Sequence, residues 1–248
     1  MRTLKITLAY DGTRFVGWQR QAEGESIQGA LEEALARFEG AAVTVHGAGR
    51  TDAGVHALGQ VASVRLTCGH DVETLTRALN AQLPDDLRVL DIEEAPPDFH
   101  ARFSARAKTY RYRIRSGGVA SPFDRGYVWN LPERLDVDAM RRAAQVLIGR
   151  HDFAAFQSAG TTIPDSGASF RTIDRSDVRN EGDLVLYEVT GDGFLRHMVR
   201  AIVGTLVEVG RGWRPADNIA VLLAGGARAQ AGATAPPHGL FLVRVDYD

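Results

Sequence analysis

A short segment of the chain brings together side chains that could do chemistry. Residues 49–57 include the guanidinium of Arg50, the carboxylate of Asp52 and the imidazole of His56, with a glycine on either side of the aspartate. Glycine adopts backbone angles that other residues avoid, so this pattern is typical of a tight turn. A carboxylate held on such a turn could act as a nucleophile or as a general base. The alternative is an ordinary hairpin connection with an Asx turn.

The residues on both sides of this turn predict strands. Residues 42–47 and 60–66 are rich in valine and alternate between apolar and polar positions. Asp52 is therefore expected on a loop between two strands, where a rigid sheet can aim a reactive side chain.

Several other chemistries are excluded by the motifs they would need. The chain has no HExxH sequence, no P-loop, no GxSxG and no GxGxxG that opens a helix after a strand. His46 and His56 could approach Asp52 as metal ligands, but the histidines lack ligand spacing and we expect no metal. A glycoside hydrolase needs two cooperating carboxylates, and Asp52 has no acidic companion on its own loop, although the fold could bring one in.

Length and composition are those of an ordinary globular protein. The chain has 248 residues, of which 44% are hydrophobic and 24% charged. Residues 1–10 alternate as a strand does and lack the apolar core of a signal peptide. No stretch approaches the roughly 18 apolar residues of a membrane span. A single cysteine, Cys68, excludes an intramolecular disulfide, so we expect a cytoplasmic protein.

Charge is distributed unevenly along the chain. The formal net charge is only −2, yet residues 99–125 contain seven basic side chains against the single acid Asp124. A concentrated basic stretch in a mildly acidic protein is typical of a protein that binds a polyanion. The alternative is a solvated strand face whose charges are balanced by acids elsewhere in the fold.

Aromatic and basic residues alternate on the strand predicted within this stretch. Tyr110 and Tyr112 flank Arg111, so both rings point to one face of the strand and the guanidinium to the other. Such interleaving suits stacking on bases while phosphates are held nearby. A tyrosine pair packed in the sheet is the alternative. Trp18 and Arg20 repeat the mixture early in the chain, where a structural tryptophan is the simpler interpretation.

A cation is expected in an otherwise apolar helix near the C-terminus. Arg200 lies between Val199 and Ile202 in a helix predicted over residues 195–210. Buried charges usually have partners, and Asp52 could be one, because a neighbouring cation keeps a buried carboxylate ionised. The alternative is that Arg200 lies on the solvated face of the helix.

The order of the predicted elements repeats. Each half reads β-α-β-β-α-β, which is the ferredoxin-like arrangement. We therefore predict an α+β fold in which the halves 1–106 and 107–248 join into one mixed, mostly antiparallel sheet, with helices on one side and an RNA-binding cleft between the halves. The predicted elements are strands near 3–10, 42–47, 60–66, 87–93, 109–115, 170–179, 184–190 and 240–247, and helices near 27–38, 72–82, 137–148, 195–210 and 216–224. The loop at 158–167 is expected to be mobile or to become ordered on a ligand.

Five segments of the chain resemble those of the tRNA pseudouridine synthase A (TruA-type) family, together with the residues around Asp52. These segments are Gly17-Trp18-Gln19-Arg20-Gln21, Asp98-Phe99-His100-Ala101-Arg102-Phe103-Ser104-Ala105, Tyr110-Arg111-Tyr112, His197-Met198-Val199-Arg200-Ala201-Ile202-Val203-Gly204 and Gly239-Leu240-Phe241-Leu242-Val243. The likeness runs through nearly the whole chain in order, and it is weakest at residues 158–170.

The resemblance implies an isomerase that converts uridine to pseudouridine in the anticodon stem-loop of tRNA, at positions 38–40. It implies that Asp52 is the catalytic nucleophile and that Tyr110 lies against the target uracil. Arg200 would pair with Asp52, Arg50 would help to displace the base, and Leu240 would line the pocket.

The partners expected from these residues are tRNA and a second copy of the chain. The resemblance implies a homodimer that works without a cofactor. Candidate RNA contacts are Arg20, Arg102, Arg106 and Arg111. A catalytically inert RNA-binding module with the same basic and aromatic residues remains the main alternative, and a nucleoside hydrolase is a third.

Overall fold

The chain divides into two compact units. The computed structural model describes residues 1–119, 121–158 and 169–248, so the predicted loop at 158–167 lies, apart from its first residue, outside the described residues. The first unit consists of Met1–Arg106 together with Phe241–Asp248, and the second unit is Ala107–Leu240. The predicted second half, 107–248, therefore differs from the observed unit in its last strand.

The first unit is built on a mixed sheet with two helices. Labels number the elements in chain order. The elements of this unit are β1 (Arg2–Tyr10), α1 (Ile27–Glu39), β2 (His46–Gly47), β3 (His56–Leu66), α2 (Val72–Gln82), β4 (Leu87–Ala95) and β10 (Leu240–Asp246).

Strand β3 has both of its edges occupied. β1 pairs with it antiparallel along one edge, and β4 pairs antiparallel with the far side of β1. The other edge of β3 is shared. β2 pairs antiparallel near its end, at Ala62 and Ser63, and β10 pairs parallel at its beginning, at His56 and Ala57. This parallel pairing explains why the last strand belongs to the first unit.

Both helices of the first unit begin at the N-caps that the sequence predicts. The Ser26 hydroxyl accepts the N–H of Gly29 before α1, and the Asp71 carboxylate accepts the N–H of Thr74 before α2. Gly40 ends α1 in the left-handed conformation, at φ 73°. The two helices contact each other, which places them on the same side of the sheet.

The strand predicted over residues 42–47 is wrong except at its end. Only His46–Gly47 pairs with a neighbouring strand. The reason is visible at Val45, whose backbone groups are bound by side chains of α1. Its N–H donates to Glu32 at 3.0 Å, and its carbonyl accepts from the Gln28 amide at 3.0 Å. Backbone groups satisfied in this way are not available for a strand ladder.

The second unit also contains a mixed sheet with helices. Its elements are β5 (Ala107–Ser116), β6 (Trp129–Leu131), α3 (Val137–Gln145), β7 (Gly149–Asp152), β8 (Phe170–Glu181), β9 (Leu184–Gly191), α4 (Met198–Gly210) and α5 (Asn218–Leu223). β5, β9, β8 and β7 pair antiparallel in that order, and β6 pairs parallel with β5. Helices α3 and α4 contact each other and so share one side of this sheet.

Two short strands of this unit were not predicted, and helix α3 ends earlier than predicted. The predicted helix at 137–148 stops at Gln145, and Gly149 turns the chain into β7 at φ 110°. Strands of three or four residues are too short for an alternating pattern to reveal them. Among the described helices, none combines the length and apolar character that crossing a membrane requires.

Candidate active site

Asp52 lies on the loop between β2 and β3. Its carbonyl accepts the N–H of Val55 at 3.1 Å, which closes a turn. Gly54 occupies the third position of this turn with φ 75°, a conformation that glycine adopts without strain. Asp52 itself is half-buried. The glycine pattern around the aspartate thus produces the tight turn that the sequence predicts.

A buried network fixes the residues before Asp52. The hydroxyls of Tyr10 and Thr51 are hydrogen-bonded at 2.9 Å. The Gln60 amide donates to the Tyr10 hydroxyl at 3.3 Å and to the carbonyl of Gly49 at 2.9 Å. Burial raises the pKa of Tyr10 to about 12, against the lowering effect of its hydrogen bonds to Thr51 and Gln60. The phenol therefore stays neutral across the physiological range and the network keeps its donor.

The segment around Trp18 supports the loop through its backbone. The Trp18 N–H donates to the Thr51 carbonyl at 3.0 Å. Gly17 has φ 111°, and a Cβ there would lie 2.7 Å from the same carbonyl oxygen. The Trp18 ring is buried and packs against Gly47, where a Cβ would overlap the ring. The structural interpretation of this tryptophan therefore holds.

His56 closes the loop on its other side. The Nδ1 atom of His56 accepts the N–H of Gly12 at 3.1 Å and lies 3.1 Å from a carboxylate oxygen of Asp11. The ring is buried and stacks on Phe241, with 4.7 Å between centroids. A Cβ at Gly12 would overlap the carbonyl of Val55, so the two segments are in backbone contact. The aspartate loop is thus held at both ends by hydrogen bonds and close backbone contacts.

The cation nearest to Asp52 in sequence faces solvent. Arg50 is exposed, and within the described ranges it makes no hydrogen bond or ion pair. An exposed guanidinium of this kind can bind a phosphate or stack on a base. In the described part of the chain, no group of three or more His, Cys, Asp and Glu residues could hold a metal ion.

Both tyrosines of β5 lie on one buried face. Tyr110 is 7% exposed and meets Phe194 edge-on, with 5.0 Å between ring centroids. Tyr112 is completely buried, and its hydroxyl donates to the carbonyl of Pro236 at 2.7 Å. Burial raises the pKa of Tyr112, and the positive charge of Arg200 lowers it by less. Tyr112 is therefore packed in the sheet, which is the alternative that the sequence left open for this tyrosine.

Two arginines on the other face of β5, Arg111 and Arg115, are paired with acids of the same unit. Arg111 donates to the Glu188 carboxylate through Nε at 3.1 Å and through Nη2 at 2.8 Å. Arg115 pairs with Asp124 at 3.3 Å and with Asp183. The alternative in which acids balance the basic strand thus describes these two arginines.

Glu188 is the centre of this charge cluster. It is buried, which raises its pKa, but Arg111 and two further arginines, Arg175 and Arg179, more than offset that and hold the pKa below its usual range. Arg175 contacts the carboxylate at 3.0 Å and Arg179 at 3.7 Å. Glu188 is therefore ionised at neutral pH.

Arg200 lies in the first turn of α4 and is half-buried. Its Nε donates to the Ala235 carbonyl at 2.8 Å, and its own carbonyl accepts the Ala235 N–H at 3.0 Å. His197 precedes the helix with φ 62°, and within the described ranges it alone among non-glycine residues has positive φ. Leu240 is 5% exposed. The predicted pairing of Arg200 with Asp52, which belongs to the other unit, stays a prediction.

The other candidate RNA contacts differ in how they are engaged. Arg20 pairs with Glu32 at 3.0 Å, and Arg106 pairs with Asp248. Arg102 makes no ion pair with the described residues, and its guanidinium carbon lies 5.6 Å from the centroid of the Phe103 ring.

Sequence reasoning missed the residues that support the loop. Tyr10, Thr51 and Gln60 act through contacts between positions about forty to fifty residues apart, which no local pattern shows. The sequence contains one signal, because Gln60 is a polar residue at the start of the mostly apolar run through Val64. In the structure Gln60 is completely buried. A buried amide implies hydrogen-bond partners.

Comparison with known proteins identifies the family of the chain. A family model described as tRNA pseudouridine synthase matches residues 6–104 and 143–248. The chain is 46% identical to tRNA pseudouridine synthase A of a Geobacillus species, over 100% of this chain and 99% of that protein. It is 47% identical to tRNA pseudouridine synthase A of Moorella thermoacetica, over the full length of both, and 47% identical to that of Myxococcus xanthus, over 100% and 92%. The chain belongs to the tRNA pseudouridine synthase family, and it is an isomerase.

Proposed function

We propose that this chain converts uridine to pseudouridine in the anticodon stem-loop of tRNA, at positions 38–40, with Asp52 as the catalytic nucleophile. Tyr110, Arg50, Arg200 and Leu240 bind the substrate. The observation that carries the proposal is the geometry of the aspartate loop in a member of this family. The carboxylate is half-buried on a turn whose two ends are fixed by hydrogen bonds and backbone contacts.

The reaction requires one carboxylate held in the right position and no second acid. The N1–C1′ bond of the uridine breaks, the uracil turns, a C5–C1′ bond forms, and the proton on C5 is lost to N1 or to solvent. The leaving uracil delocalises negative charge, so a second carboxylic acid is not needed. Asp52 can attack the substrate covalently and leave again when the new bond forms.

A rigid loop suits this role because misplacement of a reacting group is costly. A shift of about 1 Å can lower a rate roughly a hundredfold. Tyr10 and Gln60 hold the residues before Asp52, and His56 and Gly12 hold those after it. The aspartate is therefore positioned before the substrate arrives.

The base must leave its helix before it can react. Flipping a nucleotide costs about a few kcal/mol, and stacking on an aromatic ring returns about 1–3 kcal/mol. Arg50 is exposed and lies two residues before Asp52. We expect its guanidinium to take the position of the displaced base. Tyr110 supplies an aromatic surface for the uracil.

We further propose a cytoplasmic homodimer that works without a cofactor.

The decisive experiment replaces Asp52 by asparagine. Asp52→Asn should bind tRNA with the affinity of the parent and form no pseudouridine in a single-turnover assay. Asp85→Asn is the matched control, since the Asp85 side chain is fully exposed, and it should keep the parent rate. Turnover by Asp52→Asn would reject the nucleophile assignment.

Mapping the modified uridines tests the reaction and the substrate together. Purified parent should convert uridines of the anticodon stem-loop in tRNA isolated from cells that lack the enzyme. Release of uracil would identify a hydrolase. Tight tRNA binding without any change in the uridines would identify an RNA-binding module.

The predicted link between Asp52 and Arg200 can be tested by a double-mutant cycle. Arg200→Gln should weaken tRNA binding in the parent, where it leaves the carboxylate without its cation, and should weaken it less in the Asp52→Asn background. Equal effects of Arg200→Gln on affinity in both backgrounds would show that it acts independently of the carboxylate.

A further inference from the structure

Three aromatic side chains of the first unit form a row that ends in solvent. The rings of His46 and His100 lie 4.8 Å apart between centroids, and those of His100 and Phe103 lie 4.4 Å apart, with interplanar angles of 32° and 35°. Phe103 is 77% exposed. We call these three residues the aromatic row. None of them is used by the mechanism proposed above.

The turn that presents Phe103 is rigid. The Nδ1 atom of His100 accepts the N–H of Arg102 at 3.1 Å and that of Phe103 at 3.4 Å. The His100 N–H donates to the Ser104 hydroxyl at 3.1 Å, and the Ser104 N–H donates back to the His100 carbonyl at 2.9 Å. The exposed ring is thus preorganised, and a ligand that stacks on it orders little of the protein.

The same turn is tied to the sheet of the first unit. The N–H of Ala101 donates to the Ser63 hydroxyl at 3.0 Å, and the Tyr247 hydroxyl donates to the Ala101 carbonyl at 2.7 Å. Ala101 also packs in one buried cluster with Ala48, the first residue of the aspartate loop. His46 precedes Asp52 by six residues, so their Cα atoms are at most about 20 Å apart. The aromatic row therefore lies beside the catalytic loop.

The surface around the row suits a nucleotide. Arg102 is exposed, lies over the Phe103 ring and has no ion pair among the described residues. His46 and His100 also line a cavity of about 480 Å³, to which Arg65 contributes a cation and Glu39 and Asp98 contribute acids. An aromatic face beside an arginine binds a base by stacking and its phosphate by charge.

We infer that the aromatic row is a second RNA subsite, in which an unpaired base of the tRNA stacks on Phe103 while Arg102 contacts the phosphate of that nucleotide. The inference rests on the proposed function, since it takes tRNA as the ligand. The subsite holds a nucleotide other than the target uridine and contributes to affinity, not to the chemical step. It accepts any base, because every base has a π-face.

The test compares three substitutions of Phe103 in the full chain. Phe103→Ala and Phe103→Leu should weaken tRNA binding about ten- to hundredfold, because both remove the aromatic face. Phe103→Trp should keep the parent affinity. The rate at saturating tRNA should stay unchanged in all three. Phe123→Ala is the control, since Phe123 is 88% exposed in the second unit, and its affinity should equal that of the parent.

Two results would overturn the inference. One is an unchanged affinity for tRNA in Phe103→Ala. The other is parental affinity in Phe103→Leu, which would show that any apolar side chain suffices, as for a protein partner. Measuring affinity in the Asp52→Asn background separates this test from the proposed function, because binding is then read without turnover. A parent that forms no pseudouridine would refute the proposed function and leave the Phe103 affinities to decide the subsite.

Discussion

The two units differ in what holds the segments that carry their candidate residues. In the first unit, neutral groups hold the aspartate loop, namely the Tyr10 hydroxyl, the Gln60 amide and the backbone of Gly12 and Gly17. In the second unit, the arginines of β5 form ion pairs around acids such as Glu188. The most basic stretch of the sequence therefore has part of its positive charge neutralised by ion pairs within its own unit.

The arginines that are available to a substrate are not those at the centre of the basic stretch. Arg50, which lies outside the basic stretch 99–125, and Arg102, which lies near its beginning, make no ion pairs among the described residues. Arg111 and Arg115, at the centre of the basic stretch, do. Local charge density in a sequence therefore overestimates the charge offered to a polyanion whenever a neighbouring strand carries acids.

The largest effect is expected from crowding the aspartate loop. Gly12→Ala places a Cβ against the carbonyl of Val55, so the loop must shift. Overpacking of this kind costs about 1–3 kcal/mol of stability, occasionally more. A loop shift near 1 Å would lower the single-turnover rate roughly a hundredfold. The measurements are the rate at saturating tRNA and the free energy of unfolding.

Gly69→Ala is the control for this substitution. Gly69 has no atom within 4 Å of an added Cβ, so the variant should match the parent in rate and stability. A parental rate in Gly12→Ala would show that the backbone contact does not position Asp52.

A smaller effect is expected from removing one hydroxyl of the buried network. Tyr10→Phe leaves Thr51 without its hydrogen-bond partner and Gln60 without one of its two acceptors. Leaving a buried polar group unsatisfied costs about 1–3 kcal/mol. The variant should melt at a lower temperature and turn over more slowly than the parent.

The matched control is Tyr187→Phe, which removes a buried hydroxyl bonded to Ser176 in the second unit. It should lose stability and keep the rate. If both variants slowed the reaction equally, the Tyr10 network would have no special connection with the catalytic loop.

The ion pairs of the second unit predict a pH dependence. The pKa of Glu188 is lowered in the folded state, so the carboxylate stabilises the fold above its unfolded pKa, near 4.3, and that contribution is lost as the pH falls below it. Glu188→Gln should cost about 1–3 kcal/mol at pH 7, because the charge-assisted hydrogen bonds from Arg111 to the carboxylate are lost. The difference between variant and parent should shrink towards pH 3.

Chemical unfolding at pH 7 and pH 3 measures this difference. An equal loss of stability at both values would mean that the amide removes packing and not charge. The rate of pseudouridine formation at pH 7 should change little, because Glu188 lies on the face of the sheet opposite to Tyr110 and is not part of the aspartate loop.

Much of the first unit follows from local patterns. Helices α1 and α2 begin and end within one residue of the predicted bounds, because Ser26, Asp71 and Gly40 are strong signals for helix ends. The alternation of β1 likewise predicts its buried face. The motif around Asp52 predicts a turn between strands, and the structure has one.

The failures share a physical cause, which is pairing between distant positions. Val45 leaves the strand pattern because Glu32 and Gln28, on a helix, bind its backbone. The last strand joins the first unit because β10 pairs in parallel with β3. Partner choice across a sheet or between a helix and a loop is decided by the whole fold, so no window of sequence contains it.

The smallest effect is expected on the salt dependence of tRNA binding, where replacing an arginine that has an ion pair is compared with replacing one that has none. Each phosphate contact contributes about 0.9 to the slope of log affinity against log salt for a duplex, and about 0.7 for a single strand. Arg50→Gln should reduce the slope by about that amount, since Arg50 makes no ion pair in the described part of the chain. Arg111→Gln should leave the slope nearly unchanged, because Arg111 is bound to Glu188. Titrating tRNA at 50 and 200 mM salt measures both slopes. A larger change for Arg111→Gln than for Arg50→Gln would show that Arg111, and not Arg50, contacts phosphate.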